Sequence, residues 1–494
     1  MPPFFEPRHP PVGIVALKSY LQHHGHSATC FDLNTDDGLI GWLRGWFAGT
    51  SIARTDGIGF AVFALLLDES DQAVEENVTS INGALEAKAG RPVDGTQVTA
   101  EEIRLALVSV RTLLDRFAAE LVEEGYTVVG CSGFETTIHC ALYLLRAVKR
   151  LSPGTRTLLG GPEASAEAEA VLSHFPFVDN VVAGHGEVPL RQLVERKFAG
   201  PRLLRSSRTD LSAEGLSTYP ILDYADFDVA AYPSRTLGLT VQNGCQFACR
   251  FCSWRAHFGF RDSRDAQPAY DEMRALHDRH GTTLFHVCSA QVNTVALELA
   301  RHVATSGPRL SWYGPANIDP RLFSAQNVPL LAEGGLTTPR FGVESGSDRL
   351  LRRMAKPHRT SDVEPVIGRL DDLGVETVLM LIVGFPGEDA DDFSATLSLV
   401  RAIFDRTQHA TVAFNTFELF AHPNPGLSWF EREHGPVVKI PKIAAPKLGS
   451  GYFHVLASQL DERATLEDRA DELASVVREA GRSRNVAPSL WFPG

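Results

Sequence analysis

The amino-acid sequence predicts an α/β protein made of two successive parallel-sheet units, and three observations carry that expectation. Short apolar runs alternate with helical periodicities once before residue 199 and again from about residue 236. Alternation of this kind builds parallel sheets. Three runs of the first unit exit into glycine-rich turns. The first strand of the second unit leads into C-Q-F-A-C-R-F-C, which crowds Cys245, Cys249 and Cys252, three of the chain's seven cysteines, into eight residues. The expected architecture is a doubly wound, Rossmann-like unit over 1–199, a linker over 200–235 and a partial (β/α)6 barrel of the TIM type over 236–420. A small C-terminal region, 421–494, completes the chain.

Bulk properties narrow the function classes. The chain has 494 residues, 44% of them hydrophobic, which suits two or three domains rather than one core. Its formal net charge is −13, with 47 basic and 60 acidic residues. Nucleic acid is therefore a disfavoured partner, since phosphate affinity comes from clustered Lys and Arg. The longest apolar stretch, Ile58 to Leu67, is short of the about 20 residues that span a bilayer, so no membrane partner is expected. No charged-then-apolar leader opens the chain, and the expected location is the cytoplasm.

In the first unit, Ile14, Leu17 and Leu21 have helical spacing up to a capping Gly25, and "SATCFDLN" reads as a strand ending at Asp32 and Asn34. Residues 68–125 read as a helical insertion. Within it Thr99 and Glu102 have capping-box spacing, and Gly125 is placed to end the run. Strands follow in "TVVGCSGF", "RTLLGGPEAS" and "VDNVVAGHGE", with a helix over about 138–150. Their exits are Gly130 and Gly133, Gly160 and Gly161, and Gly184 and Gly186. Each is compatible with an ordinary tight turn; three on one edge favour a large flat ligand, because small residues let it approach the backbone. The opening "MPPFFEPRHPPVG" has too many prolines for a central strand, so either the true start lies upstream or the unit has lost its first strand.

The second unit reads as strands at 237–242, 283–287, 309–316, 339–343, 375–383 and 411–419. Helical stretches lie between them at about 268–280, 294–305, 320–333, 346–373 and 389–404. Barrel chemistry sits on loops after strand C-termini, where the cysteine loop falls. In the C-terminal region His422, Trp429 and Tyr452 read as core packing rather than as a pocket.

Three thiolates at C-x3-C-x2-C spacing leave one iron of a [4Fe–4S] cluster with an open position, by the logic that separates catalytic from structural metal sites. A zinc knuckle completed by His257 and a disulfide are the competing readings. Cys288 follows the second strand and is not a nearby fourth ligand.

The loop, with Phe251 before its last cysteine, resembles the radical S-adenosylmethionine superfamily. There the open iron chelates S-adenosylmethionine, whose reductive cleavage gives a 5′-deoxyadenosyl radical. "FGVESGS", with Glu344 and Ser345, resembles the fourth-strand motif, whose glutamate lies near the cofactor. "LIVGFPGE", with Gly384, Pro386 and Glu388, resembles the fifth-strand motif, whose backbone pairs with adenine, and Arg261 matches a recurring basic position. Relatives carry an acidic residue after the second strand; here "VCSAQVN" places Cys288 or Gln291 there.

The first unit resembles the cobalamin-binding domains that precede many of these enzymes. The resemblance puts Asp32, Gly130, Ser132, Gly133, Thr136, Gly160, Gly161, Pro162, Gly184, Gly186 and Glu187 at the cobalamin. No Asp-x-His-x-x-Gly cobalt-ligand signature is present. The resemblance implies a cobalamin-dependent methyltransferase acting on an unactivated carbon, or phosphorus, of a natural-product or peptide precursor. An electron donor such as flavodoxin or ferredoxin would serve it. A cyclase, rearrangement enzyme or epimerase of the same build is the alternative.

Overall fold

The computed structural model describes residues 9–35, 62–68, 70–89, 98–197, 199–205, 215–254, 262–305, 307–419, 426–443, 446–449, 452–460 and 462–482. Its first sheet has four strands, β1 (Val128–Ser132), β2 (Arg156–Gly160), β3 (Asn180–Ala183) and β4 (Leu203–Arg205). They lie side by side in that order, all parallel. The stretch read as helical holds two long helices, Asp71–Ala89 and Ala100–Glu123. Thr99 and Glu102 cap the second helix reciprocally. Gly125, at φ 78°, ends it with the Tyr126 N–H donating to Leu121. An αL C-terminal residue with such a wrap-back bond is a low-cost glycine stop.

"SATCFDLN" is not a strand. Residues 27–32 join no ladder, and Leu33–Thr35 is a single 3-10 turn. Alternation reports side-chain facing, whereas a strand also needs a partner for its N–H groups. Here the Cys30 N–H donates to Asp226 in the connector, and a cavity separates this segment from β1.

The second sheet has β5 (Leu237–Leu239), β8 (Leu284–Val287), β9 (Ser311–Ala316), β10 (Leu336–Glu344), β11 (Thr377–Val383) and β12 (Ala410–Thr416). Six parallel strands in sequence order make an open partial barrel. The two-residue strands β6 (Gln242–Asn243) and β7 (Asp262–Ser263) pair with each other beside its mouth. Helix is shorter than the periodicity suggests after β9, where only Val328–Glu333 is helical. Alternation along β9 is regular: Trp312 is fully buried against the helical layer, while Tyr313 is half-buried on the opposite face.

The N-terminal helix Val12–His23 does not belong to the first core. Val12 and Val15 pack with Leu237, Leu239 and Phe285 in the barrel core. The buried Lys18 reaches Asp223 at 3.0 Å and Asp226 at 2.8 Å in the connector. The C-terminal region also bridges. Its hairpin, β13 (Val437–Pro441) with β14 (Tyr452–Leu456), contributes Val455 to the first core, while Leu473 and Val477 of helix Arg463–Glu479 enter the barrel core. Both sheets are thus held together by chain from either end.

Candidate active site

At the barrel mouth, Cys245, Cys249 and Cys252 lie half-buried on the loop after β6. Two residues, Arg250 and Phe251, hold this loop. The Arg250 N–H donates to Met354, and its guanidinium donates to the carbonyls of Arg352 and Arg353, the free end of helix Asp348–Met354. The same guanidinium lies 4.6 Å over the Trp429 ring. Phe251 packs partly buried against the cluster that contains Leu350, Met354, Phe385 and Phe430, so it anchors the loop. Burial pushes the Cys252 thiol up to about 12 and raises that of Cys249, while Lys356 favours the thiolate at both. Iron ligation removes those protons.

Glu344 ends β10 in a left-handed conformation, φ 65°, after a register shift between Gly342 and Glu344. Conformations of this kind cost about 1–3 kcal/mol and gather at functional sites. Its Oε1 accepts from the buried Lys356 Nζ at 3.1 Å, while Oε2 is buried with no partner among the described residues. Burial raises the Glu344 carboxyl, and Lys356 opposes the shift. Gly342 makes room for the pair: a Cβ there would lie 2.5 Å from Glu344 Oε1 and 3.0 Å from Lys356 Nζ.

The motifs after β10 and β11 form one unit. Ser345 is fully buried, its hydroxyl 3.2 Å from that of Thr396 and accepting from the Ser347 N–H at 3.1 Å. Ser347 and Arg349 both reach Asp392, and Arg349 also donates to the Gly387 carbonyl. Gly384, at φ 78°, and Pro386 are buried. The N–H of Gly384 donates to Glu388 at 2.8 Å and its carbonyl accepts from Gln459 at 3.0 Å, so both are satisfied within the chain. Burial raises the Glu388 carboxyl to about 7, against the pull of the Gly384 N–H and Arg469. Arg261 and His257 lie outside the described residues, as does His422.

A cavity of about 880 Å³ runs from the tips of β1–β3 to the barrel mouth. Gly130, Ser132, Gly160, Gly161, Pro162, Gly184, Gly186 and Glu187 line it on one side; Gln242, Trp254 and Cys288 line it on the other. Gly161, at φ 95°, is a close-approach position, because a Cβ would lie 2.7 Å from the Gly133 carbonyl oxygen. Gly133 itself and Thr136 do not line the cavity. Gly133 instead receives a bond from Glu163, and it is Thr137 that ties the turn, to Phe134 and Ser132. Asp32 is also off the cavity, with its carboxylate taken by the Tyr232 hydroxyl and by Asn34.

Sequence reasoning missed Lys356, Gly342, the Arg250–Trp429 contact and His185, which lines the cavity between Gly184 and Gly186. His185 stands inside a quoted glycine turn and Gly342 inside the quoted fourth-strand motif, so both had a local signal. Lys356 comes 104 residues after Cys252 in sequence, and nothing local announces it.

Comparison with known proteins follows the same division. Residues 239–400 match the radical SAM superfamily model and residues 77–194 the B12-binding domain model. A tRNA-2-methylthio-N(6)-dimethylallyladenosine synthase of Cereibacter sphaeroides is 30% identical over 356 residues, 70% of this chain and 74% of that protein. The chain belongs to the radical SAM superfamily, in the branch that carries a B12-binding domain.

Three further matches to this radical SAM protein share less of its sequence. PH0819 of Pyrococcus horikoshii, an uncharacterised methyltransferase, is 22% identical over 56% of this chain and 64% of its own length. Among solved structures, the radical S-adenosylmethionine methyltransferase TsrM from Kitasatospora setae, with cobalamin and a [4Fe–4S] cluster bound, shares the fold. Its TM-score is 0.59 at 17% identity, over 83% of this chain and 89% of TsrM. The cobalamin-dependent radical enzyme OxsB, with aqua-cobalamin and S-adenosylmethionine bound, has a TM-score of 0.58 at 12% identity, over 74% of this chain and 61% of OxsB. The B12-binding match begins at residue 77, so the N-terminal pieces at 10–34 lie outside it.

Membership brings three cofactors: a [4Fe–4S] cluster, S-adenosylmethionine and cobalamin. The residues fit all three. Three half-buried free thiols share one loop, and Glu344 Oε2, Gln291 Nε2 and Glu187 Oε2 are buried polar atoms with no partner among the described residues. The glycine cradle opens on a cavity near the upper end of the about 300–1,000 Å³ usual for ligand sites. Gln291 thus presents a buried donor, its Oε1 already accepting from Asn317 at 2.6 Å. No described helix is long and apolar enough to cross a membrane.

Proposed function

We propose that this chain is a cobalamin-dependent radical S-adenosylmethionine methyltransferase that methylates an unactivated carbon, or phosphorus, of a natural-product or peptide precursor. One observation carries the reading: a single cavity connects the glycine turns of the first sheet to Trp254 and Cys288 at the barrel. Two reactive cofactors and one substrate must meet in one enclosed space, since orientation contributes about 7–11 kcal/mol to such reactions. When bound, the cluster supplies the electron that cleaves S-adenosylmethionine, and cobalamin carries the methyl group.

The chain's own residues then have separate tasks. Cys245, Cys249 and Cys252 hold three irons; Lys356 offsets their charge and keeps Glu344 ionised, so that Oε2 accepts from a donor of S-adenosylmethionine. Phe251, Ser345, Gly384, Pro386 and Glu388 shape the same end, chiefly by packing and by fixing the two motif loops together. Gly160, Gly161, Gly184 and Gly186 admit a flat macrocycle, with Glu187 and His185 at its edge. Although one relative acts on tRNA by name, a net charge of −13 favours a small or peptide substrate here. A low-potential flavodoxin or ferredoxin fits as reductant.

Anaerobic reconstitution with iron, sulfide and hydroxocobalamin, followed by product analysis, tests the reading. Methylation requires S-adenosylhomocysteine and 5′-deoxyadenosine together, both dependent on substrate. Formation of 5′-deoxyadenosine with no methyl transfer sinks it in favour of a cyclase, rearrangement enzyme or epimerase.

A further inference from the structure

A second cluster of metal-binding side chains lies inside the barrel, apart from the cysteine loop. His9, His286 and Cys288 are all buried, and their donor atoms converge. His9 Nε2 is 2.8 Å from His286 Nδ1, Cys288 Sγ is 3.3 Å from the same Nδ1, and Sγ is 3.9 Å from His9 Nε2. A triangle with those sides has its equidistant point about 2.0 Å from each corner, against about 2.0–2.1 Å for zinc–nitrogen and about 2.3 Å for zinc–sulfur bonds.

The other ring nitrogen of His9, Nδ1, donates to the Pro10 carbonyl at 2.9 Å, so its Nε2 presents a lone pair. His286 Nδ1 faces both this nitrogen and Cys288 Sγ. One cation at that equidistant point meets all three donor atoms. The surroundings hold the donors as outer partners hold metal ligands. His286 stacks on Tyr313 at 4.7 Å and 6°, and Arg340 lies 5.2 Å over the same Tyr313 ring. Gly238 is shaped to the cluster, since a Cβ there would lie 3.0 Å from Cys288 Sγ and 2.1 Å from Val12 Cγ2.

We propose that His9, His286 and Cys288 form a site of two nitrogens and one sulfur for a zinc ion, whose fourth position opens on the cavity and takes a Lewis-basic group of the substrate. Three protein ligands with one open position is the arrangement of catalytic rather than structural zinc. Two imidazoles and a thiolate suit a borderline-soft divalent ion, whereas magnesium and calcium want oxygen. Cys288 supplies the opening, because it lines the cavity shared with the glycine turns. The site stands whether or not the chain transfers methyl groups.

Metal counting on the full chain tests it. After anaerobic cluster reconstitution, incubation with zinc and removal of loose metal by a weak chelator, the wild type retains about one zinc beside its irons. Zinc K-edge absorption then reports one sulfur at about 2.3 Å with nitrogen neighbours. His286→Ala and Cys288→Ser lose the zinc and keep the irons, while Cys245→Ser keeps the zinc and loses iron. Zinc that is absent from the wild type, that survives in the His286 and Cys288 variants, or that shows a sulfur-only shell overturns the site. Should those variants fail to fold, the wild-type absorption spectrum decides alone.

Discussion

Lys356 and Glu344 form an ion pair at 3.1 Å in which each side chain is less than 5% exposed, at the end of the central barrel strand and beside the cysteine loop. A carboxylate at φ 65° and a lysine 12 residues later are held there against desolvation, which acts on both. That arrangement sets the first expectation.

Lys356→Met leaves Glu344 charged, buried and uncompensated. Breaking one half of such a pair costs about 3–5 kcal/mol, so urea unfolding midpoints fall accordingly. Lys356→Met with Glu344→Gln recovers much of the loss, because no lone charge remains. A double variant no more stable than Lys356→Met would show that the pair is not coupled.

Gly161→Ala places a methyl where the Gly133 carbonyl oxygen is 2.7 Å away, on backbone that L side chains rarely adopt. The turn must move, and cobalamin affinity measured by equilibrium titration falls at least about tenfold, or about 1.4 kcal/mol. Gly154→Ala, with nothing within 4 Å of the new atom, leaves that affinity unchanged.

Glu388 gives a pH dependence with a defined sign. Its carboxyl is raised from 4.5 to about 7 in the folded chain, so the fold favours the protonated form. That contribution to stability is complete below 4.5 and is lost as pH rises to about 7. Relative to Glu388→Gln, which does not titrate, the wild type therefore weakens by roughly 2–3 kcal/mol across the window, at about 1.4 kcal/mol per unit. Urea denaturation of both proteins at several pH values reads the difference directly. A constant gap contradicts the buried carboxyl.

Arg250→Ala removes the guanidinium that ties the cysteine loop to the carbonyls of Arg352 and Arg353 and to the Trp429 ring. Loss of charged hydrogen bonds of this kind costs about 1.5–3 kcal/mol, here confined to the loop. Iron content after gel filtration drops while far-UV circular dichroism stays the same. Full iron retention would mean that the loop holds its shape without the clamp.

Much of the fold was legible because it rests on local periodicity. All six barrel strands, the capped helix from Ala100 and the glycine stop at Gly125 follow from spacing and capping. "SATCFDLN" misled because extended pattern and ladder partner are different things, and its Cys30 N–H found Asp226 instead. Thr136 and Thr137 are adjacent and chemically alike, and only the turn geometry selects Thr137 to bond Phe134 and Ser132.

The amino-acid sequence by itself determined the cysteine loop, the glycine turns and the order of strands, because each depends on residues within a few positions of one another. Tertiary structure alone decided which distant groups meet: Lys356 with Glu344, Arg250 with Trp429, and His9 with His286 across 277 residues. Such meetings are set by how the sheets and the chain ends pack, and packing is a sum over contacts that no single stretch of sequence contains.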